Sequence, residues 1–374
     1  MFALPAVDRS DKVLLPGPSG FGKNSGVRTL SSNTGDPIIM STTCLRLFFA
    51  ACLGAFAIHA HAWGPGGHRT VGAIADALLV GTHAADQVKA VLGGLTLAEA
   101  AVWADCAKGV STAHGFHYGD VGRYPECRGF ETPEGEAAMV DFVRRNHANC
   151  VLKTSEDSCH KEYHYSDIAI QRAEYSGDLT GAREDDIVHA LTAAILVLKG
   201  QPAPAPFQFK DRREALLLLA HYVGDIHQPL HVGAVYLSAS GKVVDPDRGH
   251  FSPATDTRGG NDTLLSPAGE NLHHHWDEVP SSMTASKIGA SWMTLARSTP
   301  LTPGAVENWP AKWASETLTH ARQALQPLKF GAKRGNAWSV TLPPDYETTM
   351  NSIRKAELIQ AGARLAQILE AIWP

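Results

Sequence analysis

The sequence predicts an all-α fold in which residues 63–374 form a single, mostly helical domain. Apolar residues recur at helical intervals along most of this stretch, no internal repeat is visible, and no clear linker divides it. Hydrophobic residues make up 44% of the chain and charged residues 19%, a composition that can bury a sizeable core.

Each helix is predicted from the spacing of its apolar residues. Val71 and Ile74 share one face of the first helix, and four leucines at 216–219 make a later helix the most apolar. The predicted helices cover 67–80, 97–107, 136–146, 184–199, 211–226, 282–297, 306–325 and 346–372. The predicted loops cover 109–134, 149–161, 201–206 and 232–267, the last with a short hairpin at 236–244.

The first 62 residues are predicted to lie outside this domain. Residues 1–39 are rich in Gly, Ser and Pro and lack periodicity, which is typical of an unstructured leader or a mistranslated upstream segment. After Arg46 comes an apolar run that ends in Ala-His-Ala, the small-residue pattern of a signal-peptidase site. The run is too short for a comfortable membrane span, and an N-terminal anchor is the alternative. We therefore predict a signal peptide at 40–62, cleaved between Ala62 and Trp63.

Cleavage there predicts a periplasmic or secreted protein without stable membrane association. The net charge of -5 gives no sign of a broad basic surface.

Four cysteines follow residue 62, and an even number in an exported protein predicts two disulfides, with three possible connectivities. Cys106–Cys127 and Cys150–Cys159 are favoured because both close short loops. A cysteine-ligated zinc is the alternative, which the lack of a C-x-x-C spacing disfavours.

Histidine stands out in the composition, with 18 copies. His221 and Asp225 are four residues apart and share one face of the most apolar predicted helix. Pro229 ends that helix and lets His231 turn back. Unpaired polar groups are costly to bury, and coordination of a metal would satisfy them. A hydrogen-bonded His–Asp pair in the core is the alternative interpretation.

Other segments offer further candidate ligands. His273 and Asp277 repeat the four-residue spacing, whereas the histidines at 274 and 275 point elsewhere on a helix. Cleavage before Trp63 would place a free α-amine and a carbonyl close to His68, and an α-amine loses its proton more readily than lysine does.

Two candidates are weak when taken alone. Asp105 stands in a Trp-Ala-Asp segment, and His164 begins a His-Tyr-Ser-Asp segment. Asp105 as a helix-end charge and His164 as a core histidine are the alternatives. Asp105 and His164 become candidate metal ligands because the chain also contains the other ligand-capable residues described above.

Together these segments resemble the fungal single-strand-specific zinc nucleases and the plant bifunctional nucleases, whose helical fold is shared with bacterial zinc-dependent phospholipase C. The motifs run in family order, and the carboxy-terminal third is supported only by its helical character. The matching motifs are Trp63 with His68, Trp103-Ala-Asp105, His164-Tyr-Ser-Asp167, His221-x-x-x-Asp225-x-x-x-x-x-His231, Gly259-Gly-Asn261-Asp262 and Asn271-Leu-His273-x-x-Trp-Asp277.

The resemblance implies three zinc ions per chain. By this likeness a buried zinc binds Asp105, His164, His221 and Asp225; a second binds Trp63 through its amine and carbonyl, His68, and the bridging Asp225; and a third, more exposed zinc binds His231, His273 and Asp277.

The resemblance also implies hydrolysis of single-stranded DNA and RNA to 5′-phosphate products, with 3′-nucleotidase activity as a further expectation. Zinc lowers the pKa of bound water from about 15.7 toward about 7 and so supplies hydroxide. Asp105 and Asp225 are the expected catalytic carboxylates. Lys108, one turn after Asp105, is expected to neutralise phosphate charge, with a solvated surface lysine as the alternative. Asp167 and Asn261 are candidate substrate contacts, and a monomer is expected.

Some features leave alternatives open. The stretch between Asp105 and His164 is longer than the fungal spacing and offers His114 and His117 as rivals of His164, which is preferred for its local context. A phospholipase C of the same fold and a non-catalytic zinc-binding protein are the alternative functions. Aromatic residues that would stack a base, or simply pack, are Tyr118, Tyr124, Phe130 and Tyr236.

Overall fold

The computed structural model describes residues 63–113, 115–152, 156–249 and 251–374. These residues fall within one compact unit. The predicted leader at 1–39 and the predicted signal peptide at 40–62 lie outside the described residues, so both stay predictions.

Helices dominate the part of the chain that the structure describes, which confirms the predicted all-α class. The α-helices there are α1 Pro65–Leu79, α2 His83–Leu92, α3 Leu97–Ala100, α4 Trp103–Ala107, α5 Pro133–Arg145, α6 Ile187–Leu198, α7 Arg212–Asp225, α8 Pro229–Val232, α9 Leu272–Asp277, α10 Ala290–Arg297, α11 Trp309–Leu325 and α12 Tyr346–Ile372. Single 3₁₀ turns cover Pro125–Cys127, Cys159–His164, Pro253–Thr255, Arg258–Gly260, Ser281–Met283, Ala285–Lys287 and Val306–Asn308.

Helix α7 is the element around which the other helices pack. It is buried from Glu214 to Asp225 because leucine and alanine side chains cover all of its sides. The carboxylate of Asp211 caps its first turn by accepting a hydrogen bond from the backbone N–H of Glu214. Helices α1, α2, α3, α4, α6 and α12 all contact α7. The polar residues His221 and Asp225 therefore lie in the interior of the protein.

Helix α1 lies between α3 and α12, and glycine permits the close approach on both sides. A β-carbon at Gly72 would stand 2.4 Å from the backbone nitrogen of Ala98, and one at Gly362 would stand 2.5 Å from the Cβ of Ile74. The Asp76 carboxylate accepts a 3.2 Å hydrogen bond from the Ala98 N–H and so caps α3. The contact fixes α3, and with it the start of the segment that carries Asp105.

The strands of the described residues are short. They are β1 Val110–Ser111, β2 His117–Tyr118, β3 Ile168–Ala169, β4 Gly233–Ala234, β5 Tyr236–Leu237, β6 Val243–Val244, β7 Thr263–Leu265, β8 Lys329–Arg334 and β9 Ala337–Thr341. Strands β1 and β2, and likewise β5 and β6, pair antiparallel, whereas β3 pairs parallel with β4. In the three-stranded sheet, β9 lies between β7, which is parallel to it, and β8, which is antiparallel.

The β5–β6 pair confirms the predicted hairpin, with Tyr236 opposite Val244. In the β3–β4 pair, Ile168 lies opposite Gly233. Since these two residues follow His164 and His231 by a few positions, the parallel pair holds the two histidine segments side by side.

Two predicted helices differ from the structure, and helix α2 was not predicted. The segment 97–107 is two helices, because the chain leaves the helical path at Val102, where φ is -102° and ψ is -4°. Only the end of 282–297 is α-helical, and hydroxyl groups such as that of Thr284, which donates to the Ser281 carbonyl, favour 3₁₀ turns before it. Helix α2 was not predicted, although Thr82 provides its N-cap.

Both predicted disulfides, Cys106–Cys127 and Cys150–Cys159, are present, which confirms the favoured connectivity.

Among the described residues no single helix is long and apolar enough to cross a membrane, although the bent pair His83–Leu92 and Leu97–Ala107 reaches the required length and hydropathy together.

Gly72→Ala should lower the free energy of unfolding by about 1–3 kcal/mol, because the new methyl group meets the α3 backbone. The better helix propensity of alanine offsets only about 1 kcal/mol. Urea unfolding measures the change. Gly177→Ala is the control, since its methyl group would meet nothing within 4 Å. An unchanged unfolding midpoint for Gly72→Ala would show that α1 and α3 separate at little cost.

Candidate metal centre

The predicted side-chain ligands come from six elements that meet beside the C-terminal end of α7. Helix α1 carries His68, α4 carries Asp105, the turn Cys159–His164 ends in its histidine, α7 carries His221 and Asp225, α8 carries His231, and α9 carries His273 and Asp277. The structure brings all of these side chains together in three overlapping or adjacent groups, which are His68 with Asp105 and His221, His164 with His221 and Asp225, and His231 with His273 and Asp277.

Asp225 lies at the centre of the group that contains His164 and His221. Its Oδ2 lies 2.9 Å from His164 Nδ1 and 3.1 Å from His221 Nε2, and these two nitrogens lie 3.1 Å from each other. Asp105 Oδ1 lies 3.6 Å from His221 Nε2. Ligands about 2.0 Å from a tetrahedral ion stand about 3.3 Å apart, so these four donors have the spacing of one coordination shell.

The other oxygen of Asp225 faces His68. Asp225 Oδ1 lies 3.2 Å from His68 Nε2, and the His68 ring stacks on that of His221 with 3.9 Å between centroids. A β-carbon at Gly224 would lie only 2.7 Å from His68 Nδ1, so glycine makes room for this ring. One oxygen of the Asp225 carboxylate thus faces His164 and His221, and the other faces His68.

Trp63 lies next to His68 and Gly224. The residue is completely buried, and a β-carbon at Gly67 would lie 2.7 Å from the Trp63 Cβ. The N–H of Gly64 donates a 2.8 Å hydrogen bond to the carbonyl of Asp277. The start of the described chain is therefore fastened to the helix that carries the third group.

The third group combines two imidazoles and one carboxylate. His231 Nε2 and His273 Nε2 lie 3.0 Å apart, and Asp277 Oδ2 lies 3.6 Å from His273 Nε2. Asp277 Oδ1 accepts a 2.7 Å hydrogen bond from Gln228 Nε2, whereas Oδ2 is buried and makes no hydrogen bond. Gln228 thus orients the carboxylate so that one oxygen faces the histidines.

Backbone carbonyls fix the tautomer of three histidines. A carbonyl only accepts hydrogen bonds, so each Nδ1 carries the proton and each neutral ring has its lone pair on Nε2. His231 and His273 then turn two lone pairs toward each other, which is repulsive unless a cation lies between them. The Nδ1 donors and their acceptors are His221 with the Ala101 carbonyl at 2.6 Å, His231 with that of His164 at 2.8 Å, and His273 with that of Gly259 at 2.9 Å.

The interior favours the uncharged form of His68, His164, His231 and His273. His221 differs, because burial is outweighed by the charges of Asp225 and Asp105, which raise its pKa. Burial and the charge of His221 lower the pKa of His68 to about 4, and burial with Lys108 lowers the pKa of His164 to about 3. Burial raises the pKa of the Asp277 carboxyl well above its usual range. A divalent metal binds neutral imidazoles and ionised carboxylates, and its positive charge would stabilise carboxylates that are buried. The donor set of nitrogen and oxygen atoms fits zinc.

Lys108 is not a solvated surface residue. Its side chain is only 7% exposed, and its ammonium group lies 2.8 Å from Asp105 Oδ1. Asp167 is buried, and its carbonyl accepts a hydrogen bond from the Tyr236 hydroxyl. Asn261 is partly exposed and donates through Nδ2 to the Arg258 carbonyl. Lys108 thus directly contacts a candidate ligand, Asp105.

The remaining candidates are spread over the molecule. His117 is exposed on β2, and His114 lies outside the described residues. His275 contacts Glu347, away from the three groups, as predicted for the neighbours of His273. Of the aromatic candidates, Tyr124 is partly exposed, whereas Tyr118, Phe130 and Tyr236 are buried and pack in the interior.

Sequence reasoning missed the residues that orient the ligands. Gln228 stands inside the His-Gln-Pro-Leu-His segment, so its place between two ligands was a usable signal. The carbonyls of Ala101 and Gly259 carry no such signal, because every residue has a carbonyl. A β-carbon at Gly259 would lie 2.3 Å from the Leu230 carbonyl oxygen, so only glycine fits there.

The fold and the site define a class of mostly helical proteins that gather histidine and aspartate donors into a buried divalent-metal centre. Comparison with models of known families gives a match to S1/P1 nuclease over residues 63–158 and 137–374. The chain belongs to the S1/P1 nuclease family.

Curated relatives include endonucleases of Arabidopsis thaliana. Endonuclease 1 is 30% identical over 185 residues, which is 44% of this chain and 52% of the relative. Endonuclease 4 is 29% identical over 171 residues, or 43% and 50%, and Endonuclease 5 is 25% identical over 255 residues, or 63% and 71%. The chain spans about half the length of Endonuclease 1 and Endonuclease 4.

Gln228→Ala should weaken metal binding by the third group about 10- to 100-fold, because Asp277 loses the amide that orients it. Zinc titration of the metal-depleted protein, followed by calorimetry, measures the change. Gln323→Ala, at an exposed position of α11, is the matched control. Equal zinc affinity in both variants would show that Asp277 is held without Gln228.

Proposed function

We propose that this protein is a zinc-dependent phosphodiesterase that cleaves single-stranded DNA and RNA to 5′-phosphate products, with 3′-nucleotidase activity in addition. Membership of the S1/P1 nuclease family supports action on nucleic acid. The observation that supports metal dependence is the 3.0 Å distance between His231 Nε2 and His273 Nε2. Neither of these atoms carries a proton, because each neutral ring has its proton on Nδ1, which donates it to a backbone carbonyl.

Three zinc ions are proposed per chain. Asp225, with one oxygen toward His164 and His221 and the other toward His68, supports a shared ligand between two of them. The proposed ligand sets are Asp105, His164, His221 and Asp225 for the first ion; Trp63, His68 and Asp225 for the second; and His231, His273 and Asp277 for the third. The grouping of His164 with His221 and Asp225, and of His231 with His273 and Asp277, supports the first and third sets.

The contribution of the chain to the reaction is to hold donors and charges in fixed positions. Bound zinc supplies a nucleophile at neutral pH by lowering the pKa of coordinated water. Asp105 and Asp225 hold oxygens beside His221, whose tautomer is fixed by the Ala101 carbonyl, and Asp225 also faces His164 and His68. The buried ammonium of Lys108, beside Asp105, stabilises the negative charge that develops on the phosphate.

The burial of the donors favours a single-stranded substrate. His231 is 2% exposed and His273 is 3% exposed, so a phosphate must enter the protein to reach them. A flexible single strand can bend inward, whereas a duplex resists such bending. Asp167 and Asn261 are proposed to contact the substrate, and partly exposed Tyr124 is the remaining candidate for stacking a base.

The two disulfides support folding in an oxidising compartment. We therefore infer a signal peptide at 40–62, a periplasmic or secreted location, and a catalytic domain at 63–374 that acts as a monomer.

Asp225→Asn should lower cleavage of single-stranded DNA at least about 10³-fold and remove zinc from the first two sites, because the substitution takes away the shared charged ligand. Elemental analysis and a cleavage assay on the same preparation measure both effects. Asp178→Asn, at an exposed aspartate, is the matched control.

The substrates used in that assay separate the alternative functions. Wild-type protein that hydrolyses phosphatidylcholine but no polynucleotide would be a phospholipase C. Wild-type protein that binds zinc tightly and hydrolyses neither would be a zinc-binding protein. Near-normal cleavage by Asp225→Asn would refute the shared ligand.

Adding one alanine before Trp63 should reduce activity at least about tenfold, because the α-amine becomes an amide that cannot ligate a metal. The completely buried Trp63 leaves little room for an alternative path of the chain. Amino-terminal sequencing and zinc analysis of the extended and unextended proteins check the change. Equal zinc content and activity would exclude the amine as a ligand.

A further inference from the structure

Three consecutive residues beside the third group have left-handed backbone conformations. The φ angles are 50° at Arg258, 58° at Gly259 and 97° at Gly260. Glycine adopts such angles freely, but an arginine there brings its β-carbon close to the following carbonyl oxygen. A glycine at position 258 would remove this strain. The position therefore holds a side chain at a cost to stability, which is a pattern typical of functional sites.

The turn itself does not depend on the arginine side chain. The N–H of Arg258 donates a 2.7 Å hydrogen bond to Asp256 Oδ1, and its carbonyl accepts from Asn261 Nδ2 at 3.0 Å. The next carbonyl, that of Gly259, accepts the proton of His273 Nδ1. All of these contacts are made by backbone atoms at 258 and 259, and a glycine at 258 would keep them.

The guanidinium is partly exposed on the turn whose backbone contacts His273. Its side chain is 34% exposed, one terminal nitrogen lies 3.3 Å from Asp262 Oδ1, and Nε is buried without a hydrogen bond. The turn that carries Arg258 is in direct contact with the third group, because the Gly259 carbonyl accepts a 2.9 Å hydrogen bond from His273 Nδ1.

We propose that Arg258 binds a phosphate of the substrate strand next to the third group and so determines affinity for polynucleotides. This role rests on the proposed function. A guanidinium offers paired N–H donors that match two phosphate oxygens, and it keeps its charge at any working pH. Asp262 holds the group in place from one side, and the exposed part remains available to the strand. Lys108, beside Asp105, is a second cation of the site.

The test compares wild type with Arg258→Gly, Arg258→Lys and Arg248→Gly. Arg248 is the matched control, because its side chain is 82% exposed and belongs to a neighbouring loop. Three quantities are measured: KM and kcat for oligothymidylate, binding of a fluorescent phosphorothioate oligothymidylate, and the thermal unfolding midpoint with zinc content.

Arg258→Gly should raise KM about 10- to 100-fold and weaken probe binding by a similar factor, because a charge-assisted pair of hydrogen bonds is lost. Its kcat should change much less, its zinc content should stay the same, and its unfolding midpoint should rise as the strain disappears. The KM of Arg258→Lys should fall between the KM values of wild type and Arg258→Gly. The KM of Arg248→Gly should match that of wild type.

An unchanged KM and unchanged probe binding in Arg258→Gly would overturn the assignment. A loss of zinc in that variant would also overturn it, since the arginine would then act on the metal centre and not on the strand. The two failures remain distinguishable, because wild-type protein that neither cleaves nor binds oligothymidylate contradicts the proposed function itself.

Discussion

The molecule depends on keeping bare imidazole nitrogens and carboxylate oxygens side by side in an interior from which water is largely excluded. Such an arrangement is repulsive unless positive charge is supplied, and each member is costly to bury. The surrounding elements serve this arrangement: carbonyls orient the rings, Gln228 orients Asp277, and glycines at 224 and 259 make room for His68 and His273. Helix α7 holds two of the donors because it is buried on every side.

Metal binding and folding are therefore coupled. Asp225 is completely buried, and although burial opposes its charge, the neighbouring histidines hold its pKa well below the usual range. In the unfolded chain these groups are hydrated and lie far apart. An ion that binds only the folded chain adds its binding energy to stability. The Cys106–Cys127 disulfide begins one residue after Asp105 and anchors the five-residue helix α4 that carries this ligand.

The sequence predicted more of the fold class and the grouping of ligand residues than of the local geometry. Spacing of four residues placed His221 with Asp225, and His273 with Asp277, because helical periodicity is a local property. The break at Val102 was not predictable, because it frees the preceding carbonyl for His221, a contact between residues 120 positions apart. Strands β8 and β9 were also missed. In β8 a register irregularity between Phe330 and Lys333 disturbs the alternation of side chains, whereas β9 alternates regularly and its pattern was overlooked. A left-handed arginine contradicts local preference and has no signature in sequence.

The hydrogen bond from the Gly64 amide to the Asp277 carbonyl joins the segment that follows the inferred cleavage point to the helix of the third group. These parts of the chain are more than 200 positions apart, yet a single amide proton is shielded by their contact. Isotope exchange at this amide would report whether the two parts stay docked, and it could be followed by nuclear magnetic resonance without any label at the metal centre. The Gly64 amide proton is thus a spectroscopic reporter of the contact between these two segments.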